Sequence, residues 1–128
     1  MSEPVYLLDS NILIYLLEGT SPEARAQVER CAPGQIVTSA IAFAEVMRKV
    51  PEDDERKRAD VEALFRVVAV LPFDLQAGEA YRQVPFERHR LDHLIAAHAL
   101  SLDLVMVTRN VRHFRNVPEL RVEDWTSR

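Results

Sequence analysis

The chain has 128 residues, a formal net charge of −4 from 16 basic and 20 acidic side chains, and one cysteine. That length suits a single domain over residues 1–128 with its own core, and the lone Cys31 excludes an intramolecular disulfide framework. No apolar run reaches the ~20 residues of a membrane helix, and the acidic balance lacks the footprint of a non-specific nucleic-acid binder, although it leaves open a nuclease whose carboxylates are neutralised by cations.

The opening MSEP carries no basic n-region or hydrophobic leader, so a cytoplasmic location without membrane contact is expected. Residues 5–8 (VYLL) read as a short buried strand and 11–17 as the start of a helix, with Asp9, Ser10 and Asn11 at the junction. Asp, Ser and Asn are preferred helix N-caps, which is one reading of the trio. The other follows from topology: open α/β sheets bind ligands just beyond the carboxyl ends of their strands, where Asp9 would stand.

A surface helix is predicted over 21–31, with Pro22 at its first position and Ala24, Val28 and Cys31 on one side, before Pro33-Gly34 breaks it. Ile36 and Val37 form a short strand running into Thr38-Ser39, which can cap a helix over 40–50. Pro51 stops that helix. The charged run 52–58 belongs to a solvated helix from about 53 to 66, whose acids precede its bases as Glu52 with Arg56 and Asp53 with Lys57. A third buried strand follows at 67–71, a helix at 74–84 despite Gly78, an Ala-rich helix at 91–100, a fourth strand at 104–107 and a short fifth at 120–122. Helices separate the first four strands and no hairpin signal joins them, which gives an α/β fold on a mainly parallel sheet with helices on both faces.

Three acids stand apart from simple packing. Asp9 follows the first strand, Glu45 lies inside the helix after the second, and Asp92 lies near the start of the helix before the fourth. Each has an ordinary alternative: Asp9 as a cap, Glu45 as a surface partner of Lys49 at i+4, and Asp92 as a charge on the helix dipole. Converging on one sheet edge, they would repel one another unless a hard cation such as Mg²⁺ or Mn²⁺ neutralised them, and metal-assisted phosphodiester hydrolysis suits such a centre. His93 and His98 follow His89, but no second ligand pair stands at finger spacing for structural zinc. Trp125 is expected to pack the C-terminal segment against the core.

The blocks LLDSNILIYLLEG, TSAIAFAEV, LDHLIAAHAL and LVMVTRNVRHFRNVPELRVEDW resemble the PIN-domain ribonucleases, and more narrowly the toxin members of VapBC-type toxin-antitoxin pairs, over nearly the whole chain. The resemblance implies a three-layer α/β/α sandwich, Mg²⁺- or Mn²⁺-dependent endoribonuclease activity on RNA, a homodimer, and inhibition by a cognate antitoxin. It places Asp9, Glu45 and Asp92 at the family's three principal acids, as metal ligands and catalytic groups. Ser10, Asn11, Thr108 and Asn110 match polar positions that can hold a water or a phosphate oxygen, or serve as turn residues. His113 stands where relatives often carry a further acid; it can bind Mn²⁺, protonate a leaving oxygen, or have no role. Arg88, Arg90, Arg109, Arg112 and Arg115 either frame the acidic centre for an RNA backbone or are scattered solvated charges. If the acids are merely caps and surface pairs, the chain is instead a PIN-like binding module acting through a partner protein.

Overall fold

A computed structural model describes residues 2–88 and 90–127. Five parallel strands form one sheet: β1 (Tyr6–Leu8), β2 (Ile36–Ser39), β3 (Ala69–Leu71), β4 (Val105–Val107) and β5 (Val122–Glu123), in the order β3-β2-β1-β4-β5. The order reverses beside β1, whose neighbours β2 and β4 both pair with it in parallel. A crevice opens at such a switch point because the connections leaving adjacent strands run in opposite directions. The strands are short, so most of their side chains are core: Leu7, Leu8, Val37, Met106 and Val107 are buried. Each such burial stabilises by roughly 1.5–3 kcal/mol.

Six helices connect the strands: α1 (Ser10–Glu18), α2 (Pro22–Arg30), α3 (Ala40–Arg48), α4 (Glu55–Val67), α5 (Leu75–Ala80) and α6 (Leu91–Ser101). Local chemistry sets their starts. Asp9, Ser21, Ser39, Asp54 and Asp74 each cap a helix with a side-chain oxygen. Gly19 closes α1 at φ +68°, a conformation cheap only for glycine, and its N–H returns to the Tyr15 carbonyl. α6 is buried around most of its circumference, from His93 through Ala99 except Leu94, which is why its apolar residues run through LIAAHAL without the stripe of a surface helix. No helix of the described residues is long and apolar enough to cross a membrane.

Several boundaries differ from expectation: the short fifth strand is Val122–Glu123 rather than 120–122, the helix expected over 40–50 ends at Arg48, and three further shifts have clear causes. α4 begins at Glu55 because Asp54 caps it by accepting from the Lys57 N–H at 3.0 Å. Glu52 and Asp53 therefore lie ahead of the helix, outside the register needed for the pairs with Arg56 and Lys57. The third strand is an edge strand, Ala69 exposed and Val70 and Leu71 half-buried rather than buried: α4 runs on through Val67, which is 56% exposed, and Val68 is its C-cap, so only 69–71 of the run are strand. The helix expected over 74–84 tightens after Ala80 into a 3-10 turn, Tyr81–Gln83, ahead of Pro85. Trp125 packs as expected, buried edge-on against Tyr6 with its indole N–H donating to Glu123 Oε1 at 3.0 Å.

Candidate active site

Asp9 leaves the end of β1 at the switch point, and its N–H pairs with the Val107 carbonyl of β4 at 3.0 Å. It does cap α1: Oδ1 accepts from the Ile12 N–H at 3.0 Å. That leaves a carboxylate which is only 3% exposed. Burial pushes its pKa up to about 6, against the Thr108 hydroxyl and the Ile12 N–H that favour the charged form, with Asp92 and Glu45 adding repulsion. A cap alone calls for no such environment, since the other aspartate caps, Asp54 and Asp74, are not buried.

Glu45 projects from the second turn of α3 at the edge of its apolar face. Its Oε1 is buried without a hydrogen-bond partner, while the Ser10 hydroxyl at the start of α1 favours its charge. Burial first, and Asp92 second, raise its pKa. The expected Lys49 partner acts only at a distance, because α3 ends at Arg48 and Lys49 is its C-cap. An orphaned buried carboxylate oxygen is costly and calls for an occupant.

Asp92 lies in the first turn of α6 and caps nothing. Arg90 grips it from two residues upstream, Nε donating to Oδ1 at 3.2 Å and Nη2 to Oδ2 at 3.1 Å, and His93 Nδ1 lies 3.1 Å from Oδ1. Burial pushes the Asp92 pKa up, but Arg90 and His93 together outweigh it and hold the carboxyl below its usual range. The three acids therefore share one electrostatic neighbourhood with unlike fates: two raised and one neutralised by the chain itself. Among the described residues, no three ligating side chains are already gathered around a common point.

The remaining polar residues divide. Ser10 and Thr108 are buried beside Glu45 and Asp9. Thr108 Oγ1 also accepts from the Asn110 N–H at 3.1 Å, so it fixes the turn and serves Asp9 together. Asn11 is exposed at the mouth, Asn110 is half-buried, and His113 is exposed on the 3-10 turn Val111–Phe114, where Arg90 Nη2 donates to its Nδ1. Of the five arginines, Arg90 reaches the acids and Arg109 turns away to Tyr15, donating to its hydroxyl at 3.0 Å. His98 packs elsewhere, 2.8 Å from Ser39 Oγ; His89 lies outside the described residues. A cleft of about 590 Å³ opens beside Glu45, with Ile14, Ile41 and Leu91 on its walls and Arg48 and Lys49 at its rim.

The chain as a whole has a counterpart in known proteins: the PIN-domain family model matches residues 6–120. The chain belongs to the PIN-domain family. It is 30% identical to Ribonuclease VapC1 of Haemophilus influenzae, over 95% of this chain and 98% of that one. It is 31% identical to the tRNA(fMet)-specific endonuclease VapC of Salmonella typhimurium, over 94% and 97% respectively. The crystal structure of VapBC-1 from nontypeable Haemophilus influenzae superposes with a TM-score of 0.80 at 30% identity, covering 96% of this PIN domain and 99% of that chain.

Sequence reasoning found the three acids through their positions relative to strands. It named Arg90 only as one arginine among five and did not find the Glu87–His93 contact, 3.3 Å, that backs the Asp92 network. Neither contact has a spacing signal: residues two apart do not face each other on a helix, and Arg90 meets Asp92 only because the chain turns at the entry to α6.

Proposed function

We propose that this PIN-domain protein is an endoribonuclease, the toxin of a toxin-antitoxin pair, and that it hydrolyses RNA phosphodiester bonds with Mg²⁺ or Mn²⁺. The single observation that carries the reading is the pairing of a buried Asp9, its pKa pushed to about 6, with the orphaned Oε1 of Glu45 at the same sheet edge. Two carboxylates that are desolvated and mutually repelling, one with an open lone pair, fit a hard divalent cation and little else. Asp9, Glu45 and Asp92 would hold it. The chemistry such a cation supplies is positive charge that makes a water more acidic and offsets charge building on the phosphate oxygens.

The chain's own groups do the rest. Asp9 is held rigidly by its cap bond and by Thr108, so its carboxylate needs little reorganisation. Glu45 Oε1 either holds the ion or orients the attacking water and accepts its proton, the second role suited to a carboxylate whose pKa burial has raised. Ser10 steadies Glu45, and Arg48 and Lys49 at the rim of the adjoining cleft offer charge to the RNA backbone. The family relationship supports a cognate antitoxin, a homodimer and a cytoplasmic setting for this reading. His113 takes no part in the proton transfer described.

The test is cleavage of a mixed RNA pool by antitoxin-free protein with Mg²⁺, Mn²⁺ or EDTA, comparing wild type with Asp9→Asn and Asp92→Asn. Cation-dependent cutting that both folded variants lose supports the proposal. A folded wild type that cuts nothing with any cation returns the chain to the binding-module reading.

A further inference from the structure

Arg90 sits at the N-terminus of α6 without capping it, and its side chain is 26% exposed. All the contacts that fix it converge on one job. Nε and Nη2 take both oxygens of Asp92, Nη1 lies 3.7 Å from Glu87 Oε1, and Nη2 also donates to His113 Nδ1 on the turn after β4. The guanidinium therefore spans the entry to α6 and the β4 turn, covering the third acid from the side.

This fork, with His93 Nδ1 also 3.1 Å from Oδ1, sets a fixed positive charge against both Asp92 oxygens on the side where a cation would have to approach. Asp92 is held by Arg90 while it repels Asp9 and Glu45 through space, and the described residues gather no trio of ligands around one point. Resting on the cation-dependent reading above, we propose that Arg90 and the divalent cation are alternative counter-ions of Asp92, so that Arg90 is a positioning residue whose fork must loosen before Asp92 can hold the ion. Without a cation, the guanidinium keeps one of three neighbouring carboxylates compensated. Its release sets the cation concentration at which the site fills. Lysine cannot replace it in kind, because an ammonium is a point charge without the planar fork, and His113 would lose the second N–H that anchors the guanidinium's outer edge.

The experiment is Mn²⁺ binding by calorimetry to metal-free, antitoxin-free protein, independent of any cleavage assay. Arg90→Gln should tighten Mn²⁺ binding about fivefold, as expected for removing a part-exposed ion pair, and Arg90→Lys by less. On an Asp92→Asn background, Arg90→Gln should give no gain, since the competition has lost its object. A second readout needs no variant of doubtful folding. The Arg90 Nε–H signal of the ¹⁵N-labelled wild type, assigned by its loss in Arg90→Lys, should shift when Mg²⁺ is added. Binding that needs Asp9 but is unchanged or weakened in Arg90→Gln overturns this proposal and leaves the cation-dependent reading standing. A gain that persists without Asp92 also overturns it. No Asp9-dependent uptake of Mn²⁺ by wild type or Arg90→Gln overturns both.

Discussion

Two strands of this sheet pass into helices by the same local device. β1 enters α1 through Asp9 and β2 enters α3 through Ser39, and each side chain is buried and accepts from a backbone N–H of the first turn. At Ser39 the accounts close: His98, from α6, lies 2.8 Å from its hydroxyl under the edge of Phe73, and burial lowers the His98 pKa so that the pair is neutral. At Asp9 they do not close, because burial and two neighbouring carboxylates oppose its charge while no cationic side chain faces it among the causes that set its pKa. A satisfied neutral polar pair rigidifies a core; a buried charge without a counter-charge is held in place by the rest of the fold. The same capping position thus serves stability at β2 and, on the proposed function, chemistry at β1.

The sharpest way to break that contrast is Asp9→Asn. Asn caps helices as well as Asp, so the change removes charge and spares the cap. Cleavage should fall at least about 100-fold in the RNA assay. Stability of the metal-free protein should move the other way. A carboxyl whose folded pKa is about 6 against an ordinary 3.8 binds its proton more tightly in the folded state, so wild-type stability is greatest below pH 4 for this group and is lost as pH rises towards 6. By pH 7.5 the charged Asp9 costs about 3 kcal/mol, and urea melts of Asp9→Asn should recover much of it and lose the slope between those limits.

At the Ser39 junction, His98→Ala should cost about 2–4 kcal/mol by thermal or urea unfolding, through the cavity and the lost partner of Ser39. Its pH signature is opposite in sign. A histidine with a lowered folded pKa stabilises only while neutral, so stability should fall as pH drops below its ordinary 6.5. His98→Gln should flatten that fall, and the comparison is best made on the Asp9→Asn background, where the counter-running slope has been removed.

Thr108→Val takes a hydroxyl from Asp9 and an acceptor from the Asn110 N–H. It should cost about 1–2 kcal/mol and push the Asp9 titration above 6, read by ¹³C NMR of the carboxyl. The smallest effect is expected at the exposed pair Arg25 and Glu29 on α2, whose side chains are 76% and 65% exposed. Arg25→Ala should leave both cleavage and the melting curve unchanged, since solvent screens such a pair.

The local rules explain why so much of the architecture is legible along the chain. Apolar runs bounded by Pro, Gly or capping residues mark the strands and most helix starts, because hydrogen-bond satisfaction at a helix N-terminus is decided within four residues. They fail where a boundary depends on what lies across space: Val67 continues α4 because the chain reaches the sheet only at Ala69, and the sequence cannot tell a helix end from a strand within VVAVL. Asp9, Glu45 and Asp92 were legible as anomalies against strand and helix patterns. Their states were not.

By itself the sequence determined the alternation of strands and helices, the caps that start them, and the three acids placed at strand-linked positions, all of which follow from short-range periodicity and backbone chemistry. The tertiary structure alone decided that β1 lies between β2 and β4, that burial raises Asp9 and Glu45 while Arg90 holds Asp92 down, and that His98 completes Ser39 across 59 residues of chain. Desolvation and Coulomb interaction depend on distance through space, and distance along the chain does not encode them.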